Sequence, residues 1–173
     1  MGKVLPKGKA TCRPYLASYR PELDETPYLD DEKVNYYQQL IGVLRWGVEL
    51  TRIDIALEVS LLSSFLVAPR EGHLQAVYNI FGYLDKHMES NLVFDDKVPD
   101  ISEEVFQDTN WKDTIYGDIE EELPPNMPKP LGNNVVTSCF VDANHAGDLV
   151  TRRSHTGVII YVNNAPITWL SKK

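Results

Sequence analysis

Cysteine is scarce in this chain. Cys12 and Cys139 are the two in 173 residues, they have no metal-ligand spacing, and nothing supports a disulfide between a basic N-terminal stretch and a distant strand. Both are expected to be free thiols, which points to a reducing compartment, cytosol or nucleus. Long apolar runs are missing as well: none reaches the eighteen or so residues of a membrane span. The N-terminus, with Lys3, Pro6, Lys7 and Lys9, lacks the apolar core of a secretion signal. His73, His87, His145 and His155 are not spaced as ligand pairs, so surface or capping roles are expected of them and no zinc site.

What is present is an apolar fraction of 43%, enough for a buried core, and a charge that is unevenly spread. The net charge is -8, yet between Asp95 and Leu123 stand eleven acids against Lys97 and Lys112. The first twenty residues carry Lys3, Lys7, Lys9, Arg13 and Arg20 with no acid, and the stretch after Asp148 carries Arg152, Arg153, Lys172 and Lys173 with none. Two basic ends therefore flank an acidic middle.

Prolines 6, 14, 21 and 27 interrupt helix as far as about Asp31, so residues 1–31 read as a basic, proline-containing arm. Val34, Tyr37, Ile41, Leu44 and Val48 then recur at helical spacing, predicting a helix from about Asp31 to Glu49, its stripe widened by Leu40 and Trp46. After a break at Thr51-Arg52-Ile53-Asp54, Thr51 is expected to cap a second helix carrying Ile55, Val59, Leu62 and Leu66. Pro69 is expected to close it and to open a third, with Leu74, Val77, Ile80, Phe81 and Leu84. Three amphipathic helices with short connections imply a small bundle over residues 32–96, and Leu92-Val93-Phe94 suggests a short strand. Residues 97–132 read as an acidic linker that ends in a proline-rich run.

From Asn133 the pattern turns to strands. Val135 to Asp142 alternates, with Val136, Ser138, Phe140 and Asp142 on one face. Gly157 to Val162 and Pro166 to Leu170 follow, joined by a tight turn at Asn163-Asn164. The fold class expected is α+β: a three-helix module followed by a sheet that stops at Lys173 with one face uncovered. Asp142 reads either as a turn residue or as a metal ligand at a strand end. Arg152 and Arg153 read either as phosphate contacts or as a solvated turn. A hydrolase set of Ser154, His155 and Asp148 is disfavoured, because adjacent strand residues point to opposite faces.

The run Tyr37-Gln38-Gln39-Leu40-Ile41-Gly42-Val43-Leu44-Arg45-Trp46, with Thr51-Arg52-Ile53-Asp54-Ile55-Ala56, Val59-Ser60-Leu61-Leu62-Ser63, Pro69, His73 and Tyr83-Leu84, resembles the Pol polyprotein of copia-type LTR retrotransposons. Val141-Asp142-Ala143, Ala146-Gly147-Asp148, Thr151-Arg152-Arg153-Ser154, Thr156-Gly157 and Ile167 to Lys173 are similar to the start of that family's ribonuclease H domain. The resemblance implies that residues 32–96 are the reverse transcriptase thumb/connection region, which packs against template–primer. It implies that residues 133–173 are the N-terminal half of a nuclease acting on an RNA–DNA hybrid. Asp142 then matches the first catalytic, Mg²⁺-binding carboxylate, with the other acids expected beyond Lys173 and the polymerase aspartates before Met1. The chain alone is expected to be inactive, to bind no Mg²⁺ and to grip nucleic acid weakly through Arg152 and Arg153. Self-association through the exposed sheet is expected, and a non-catalytic interaction protein derived from a retroelement is the alternative.

Overall fold

Helix α1 spans Asp31–Leu50 and starts where Asp30, in extended conformation, accepts the Lys33 N–H with its side chain. That is the ordinary way a helix satisfies one of its orphan donors. The computed structural model describes residues 12–14, 18–100, 115, 117, 124–129 and 131–173. Most of the acidic linker lies outside the described residues. A 3-10 turn at Ile53–Ile55 leads into α2, Ala56–Ser63, and α3 spans Glu71–Lys86. Three antiparallel strands follow, β1 Thr137–Asn144, β2 His155–Val162 and β3 Ala165–Lys172, in the spatial order β1-β2-β3. Among the described residues, the class is thus α+β, as the alternation of patterns predicts, and no helix is long and apolar enough to cross a membrane.

The core lies between the helices. Tyr37, Ile41 and Leu44 of α1, Ile55, Val59 and Leu62 around α2, and Val77 and Ile80 of α3 are all almost fully buried. Each such side chain contributes about 1.5–3 kcal/mol relative to leaving it in water. Tyr37 carries its hydroxyl inward and donates it to the Leu62 carbonyl at 2.8 Å, which removes the cost of burying a phenol.

The segment before α1 belongs to this packing. Leu29 is buried, Tyr19 packs against the core, and Tyr28 forms a bridge with Arg70. Gly72 permits the close approach: a Cβ there would come within 1.8 Å of the Asp24 carboxylate, and its N–H donates to Thr26 Oγ at 2.9 Å.

Four expectations need correction. Trp46 is 67% exposed, because it stands about 200° around the helix from Leu44 and so faces away from the stripe. Thr51 does not cap α2 but closes α1, its N–H returning to the Gly47 carbonyl. Pro69 neither ends α2, which stops at Ser63, nor enters α3, whose N-cap is Arg70; it is buried, and its carbonyl accepts the Leu29 N–H. Leu92 to Phe94 form no strand, and Val93 and Phe94 are exposed.

The sheet is a meander. β1 pairs with β2 without interruption, Phe140 opposite Ile159 and Asp142 opposite Gly157. Between β2 and β3 the register shifts at Ile160/Tyr161. The β2–β3 turn is set by Asn163 at φ 53°, a left-handed conformation that asparagine tolerates. Its side chain accepts the Val136 N–H at 2.9 Å and donates to the Asp96 carbonyl at 2.7 Å. Helices and sheet meet at β3, where Trp169 Nε1 donates to the Val48 carbonyl and Ser60 Oγ to the Ser171 carbonyl, both at 2.9 Å.

Candidate functional site

The β2–β3 bulge decides what gathers on the face turned toward α2. With the turn centred on Asn163-Asn164 and no shift, His155 would lie opposite Lys172. The extra residue, Ile167, moves the register by one, and Ser171 and Trp169 come to share a face with His155 and Ile159. A cleft of about 620 Å³ opens there. Ile53, Leu57, Phe140, Ile159 and Trp169 supply apolar walls, and Asp142, Asn144, His155 and Ser171 the polar groups.

Asp142 is exposed, two residues before β1 ends at Asn144 rather than at its end. Asn144 lines the same cleft, and its side-chain oxygen accepts the His155 N–H at 2.7 Å. His155 is only 7% exposed. Its Nε2 lies 2.9 Å from Ser171 Oγ, and its Nδ1 is buried with no hydrogen-bond partner. Burial, and then the charge of Lys173, hold the imidazole below its ordinary pKa, so it is neutral at neutral pH. A neutral histidine bonded to a serine has the first half of a nucleophilic relay. Without a carboxylate on Nδ1, nothing orients it as a general base.

Ser154 does not join His155: its Oγ accepts the Ala146 N–H at 3.1 Å. Asp148 turns away as well. Its Oδ1 accepts the N–H groups of Val150 at 3.0 Å and Thr151 at 2.6 Å, and its Oδ2 pairs with Lys173. Burial raises its pKa, but the bonds from Lys173 and Thr151 outweigh that and hold the carboxyl well below the usual range. The disfavoured hydrolase set is therefore not assembled.

Arg152 and Arg153 are exposed on the loop after Asp148. Arg152 has φ 56°, a conformation that costs a non-glycine residue about 1–2 kcal/mol. Arg153 lines a second cleft of about 240 Å³ with Arg20, Asp148, His155 and Lys173. The structure thus separates Asp142 from Arg152, and brings Asp142 instead toward His155 and Ser171. The partnership of His155 with Ser171 has no sequence signal, because it depends on the bulge.

A Mg²⁺ pair needs several carboxylates converging from different elements. Among the described residues, no group of three or more His, Cys, Asp or Glu side chains is placed to hold a metal ion. Asp142 supplies one carboxylate to such a site and does not by itself fit it. His73, the other buried imidazole, has a structural role. Its Nδ1 accepts the Arg70 N–H at 3.0 Å, its Nε2 bonds the Pro21 carbonyl at 2.9 Å, and its ring stacks on Phe65. The capping role expected of the histidines is thus met at His73, in the interior.

No family model matches the chain, and no solved structure matches it. Among curated proteins it is 28% identical over 137 residues to the retrovirus-related Pol polyprotein from transposon RE1 of Arabidopsis thaliana, a match covering 79% of this chain and 7% of that protein. With the retrovirus-related Pol polyprotein from transposon TNT 1-94 of Nicotiana tabacum it shares 26% identity over 136 residues, 79% of this chain and 8% of that protein. With the secreted RxLR effector protein 161 of Plasmopara viticola it shares 26% over 137 residues, 79% of this chain and 72% of that protein. The chain spans less than a tenth of the two Pol polyproteins. Its ordered motifs and these matches agree that the chain resembles retrotransposon Pol polyproteins of the copia type.

Proposed function

We propose that this chain is a segment of a copia-type Pol polyprotein. Residues 32–96 correspond to the reverse transcriptase thumb/connection region, residues 97–132 to an acidic linker and residues 133–173 to the N-terminal part of a ribonuclease H-like domain. The observation that carries this reading is the match of 79% of the chain to a stretch of under a tenth of two Pol polyproteins. The order helices, then meander, then Asp142 within its first strand is compatible with it. In the parent, the reactions are Mg²⁺-dependent DNA synthesis on an RNA template and hydrolysis of RNA in a hybrid, with Asp142 as one metal ligand of the second. This chain alone catalyses neither, since one carboxylate cannot hold the metal pair. Arg152 and Arg153 give it weak, salt-sensitive contact with nucleic acid, with a Kd on the order of 10⁻⁴–10⁻⁶ M.

The test is incubation of the purified chain, and of Asp142→Asn, with an end-labelled RNA–DNA hybrid and Mg²⁺. Neither is expected to cut. Cleavage by the unaltered chain that Asp142→Asn abolishes would overturn the claim of inactivity.

A second reading is a non-catalytic interaction protein. It is favoured by one observation: the match extends over 72% of the Plasmopara viticola protein, so a sequence of this extent makes up most of a protein that is not named as a Pol polyprotein. Capture of a host protein by the chain at the same strength with and without Arg152→Ala and Arg153→Ala supports this reading over the first.

A further inference from the structure

The arm before α1 closes the start of α3 from outside. The first N–H groups of a helix have no partner within it, and here the arm meets them. The Pro27 carbonyl accepts the Glu71 N–H at 3.0 Å, and Thr26 Oγ accepts the Gly72 N–H at 2.9 Å. In return the Arg70 guanidinium donates to the Thr26 carbonyl and lies over the Tyr28 ring, 3.8 Å from its centre. Asp24 holds Thr26 in place by accepting its N–H at 2.9 Å and its hydroxyl. Glu25 to Tyr28 are exposed, so polar contacts rather than burial keep this stretch on the helix.

His73 joins the two sides. It is 2% exposed, and because its Nδ1 accepts the Arg70 N–H, the ring proton sits on Nε2 and is donated to the Pro21 carbonyl. Each ring nitrogen is thus committed to one role. A second proton, on Nδ1, sets donor against donor and puts a charge where Pro21 and the stacked Phe65 exclude water. Of the charged groups around the ring, Asp24 on the arm favours that proton and Arg70 disfavours it. Glu22, beside Pro21, keeps one buried carboxylate oxygen without a hydrogen bond; Glu71 is exposed, and Phe65 brings no charge. Burial outweighs Asp24, and the imidazole is held below its ordinary pKa.

We propose that His73 is a proton-operated latch: neutral, it ties the arm from Pro21 to Tyr28 to the first turn of α3, and on protonation that arm lifts while the helical core stays folded. The two sides do not yield equally. α3 is anchored by Val77 and Ile80 in the core, whereas the arm has few buried apolar contacts and opens at lower cost. An open arm lets water reach the ring, so the open state binds the proton more tightly than the closed one, and acid favours opening. Both sides of the latch are described residues bonded to each other, so its closure needs no further segment.

Amide hydrogen exchange of the full chain, followed by NMR from about pH 7.5 to about pH 4.5 and corrected for the intrinsic rate at each pH, tests the latch. The Glu71 and Gly72 amides, whose partners are on the arm, are expected to lose protection below about pH 6.5 by up to about tenfold per pH unit, and to level off once the closed form is itself protonated. Ile41 and Leu44 of α1 should keep theirs. His73→Gln, which accepts and donates without taking a charge, should hold the protection of Glu71 and Gly72 constant. Asp24→Asn keeps the imidazole and removes a carboxylate that favours its proton, so the fall should continue to lower pH, whatever the protection at neutral pH. Constant protection in the unaltered chain overturns the proposal. So does an equal fall in His73→Gln, a fall in Asp24→Asn that ends at higher pH, or a fall that Ile41 and Leu44 share, which marks general unfolding.

Discussion

The helical region and the sheet are built on opposite terms. Among the described residues, every buried side chain of the hydrophobic core cluster lies between Leu29 and Phe81, whereas in the strands only His155 and Pro166 are buried. The helices are held by side chains removed from water, and the sheet by its backbone ladder and its seat on Val48 and Ser60. Apolar side chains thus stabilise one region strongly, while the other depends on what it touches. Three strands are about the least that stand without further cover.

The sharpest way to break this comparison is to cut each region equally. Leu44→Ala or Ile80→Ala is expected to cost about 2–5 kcal/mol, and Leu170→Ala, at a half-exposed strand position, under about 1 kcal/mol; urea unfolding followed by circular dichroism reads both. Equal losses would mean that the sheet has a core of its own. Tyr37→Phe comes next, at about 0.5–1.5 kcal/mol, because it removes the buried hydroxyl bond to the Leu62 carbonyl, which still accepts the Phe65 N–H at 3.1 Å. Trp169→Phe removes the bond to the Val48 carbonyl, one of those that seat β3 on the helices, and splitting of a single unfolding transition into two is the expected result.

Acid should also separate them. Burial holds His73 below its ordinary pKa, while the unfolded chain titrates near 6.5. Below that pH the unfolded state binds more protons, so the contribution of His73 is complete above about 6.5 and is lost as pH falls through the folded value. Asp24 opposes the shift and Arg70 reinforces it. His155 acts with the same sign in the sheet. His73→Gln should flatten the pH dependence of the helical transition and His155→Gln that of the sheet. A crossed result would refute the assignment. The smallest effect expected is a gain: Arg152→Gly relieves a left-handed residue and stabilises the sheet by about 1 kcal/mol, readable as a rise in the midpoint of its unfolding.

Where the sequence was legible, a periodic pattern coincided with burial. Tyr37, Ile41, Leu44, Val77 and Ile80 announced their helices, and the run Gly157 to Val162 its strand. Trp46 was misread because an apolar side chain near a stripe was counted into it without its angle. Thr51 and Pro69 carry the right chemistry for helix ends, but the 3-10 turn and the bridge of Tyr28 to Arg70 took them into other roles. At the candidate site, Asp142 could be placed on its strand from alternation alone. The His155–Ser171 contact could not, since one bulged residue exchanges which face Ser171 occupies. The clasp of Asp148 by Lys173 joins residues 25 apart and leaves no local trace.

Asn163 has a consequence for how this chain tolerates change. Its side chain bonds both the Asp96 carbonyl and the Val136 N–H, so the whole stretch between those two residues is a lasso drawn shut at one knot. Doubling the length of such a loop costs only about 0.6 kcal/mol. Insertions and deletions of many residues there should leave both ends in place, whereas replacing Asn163 itself loosens the knot for any length of rope.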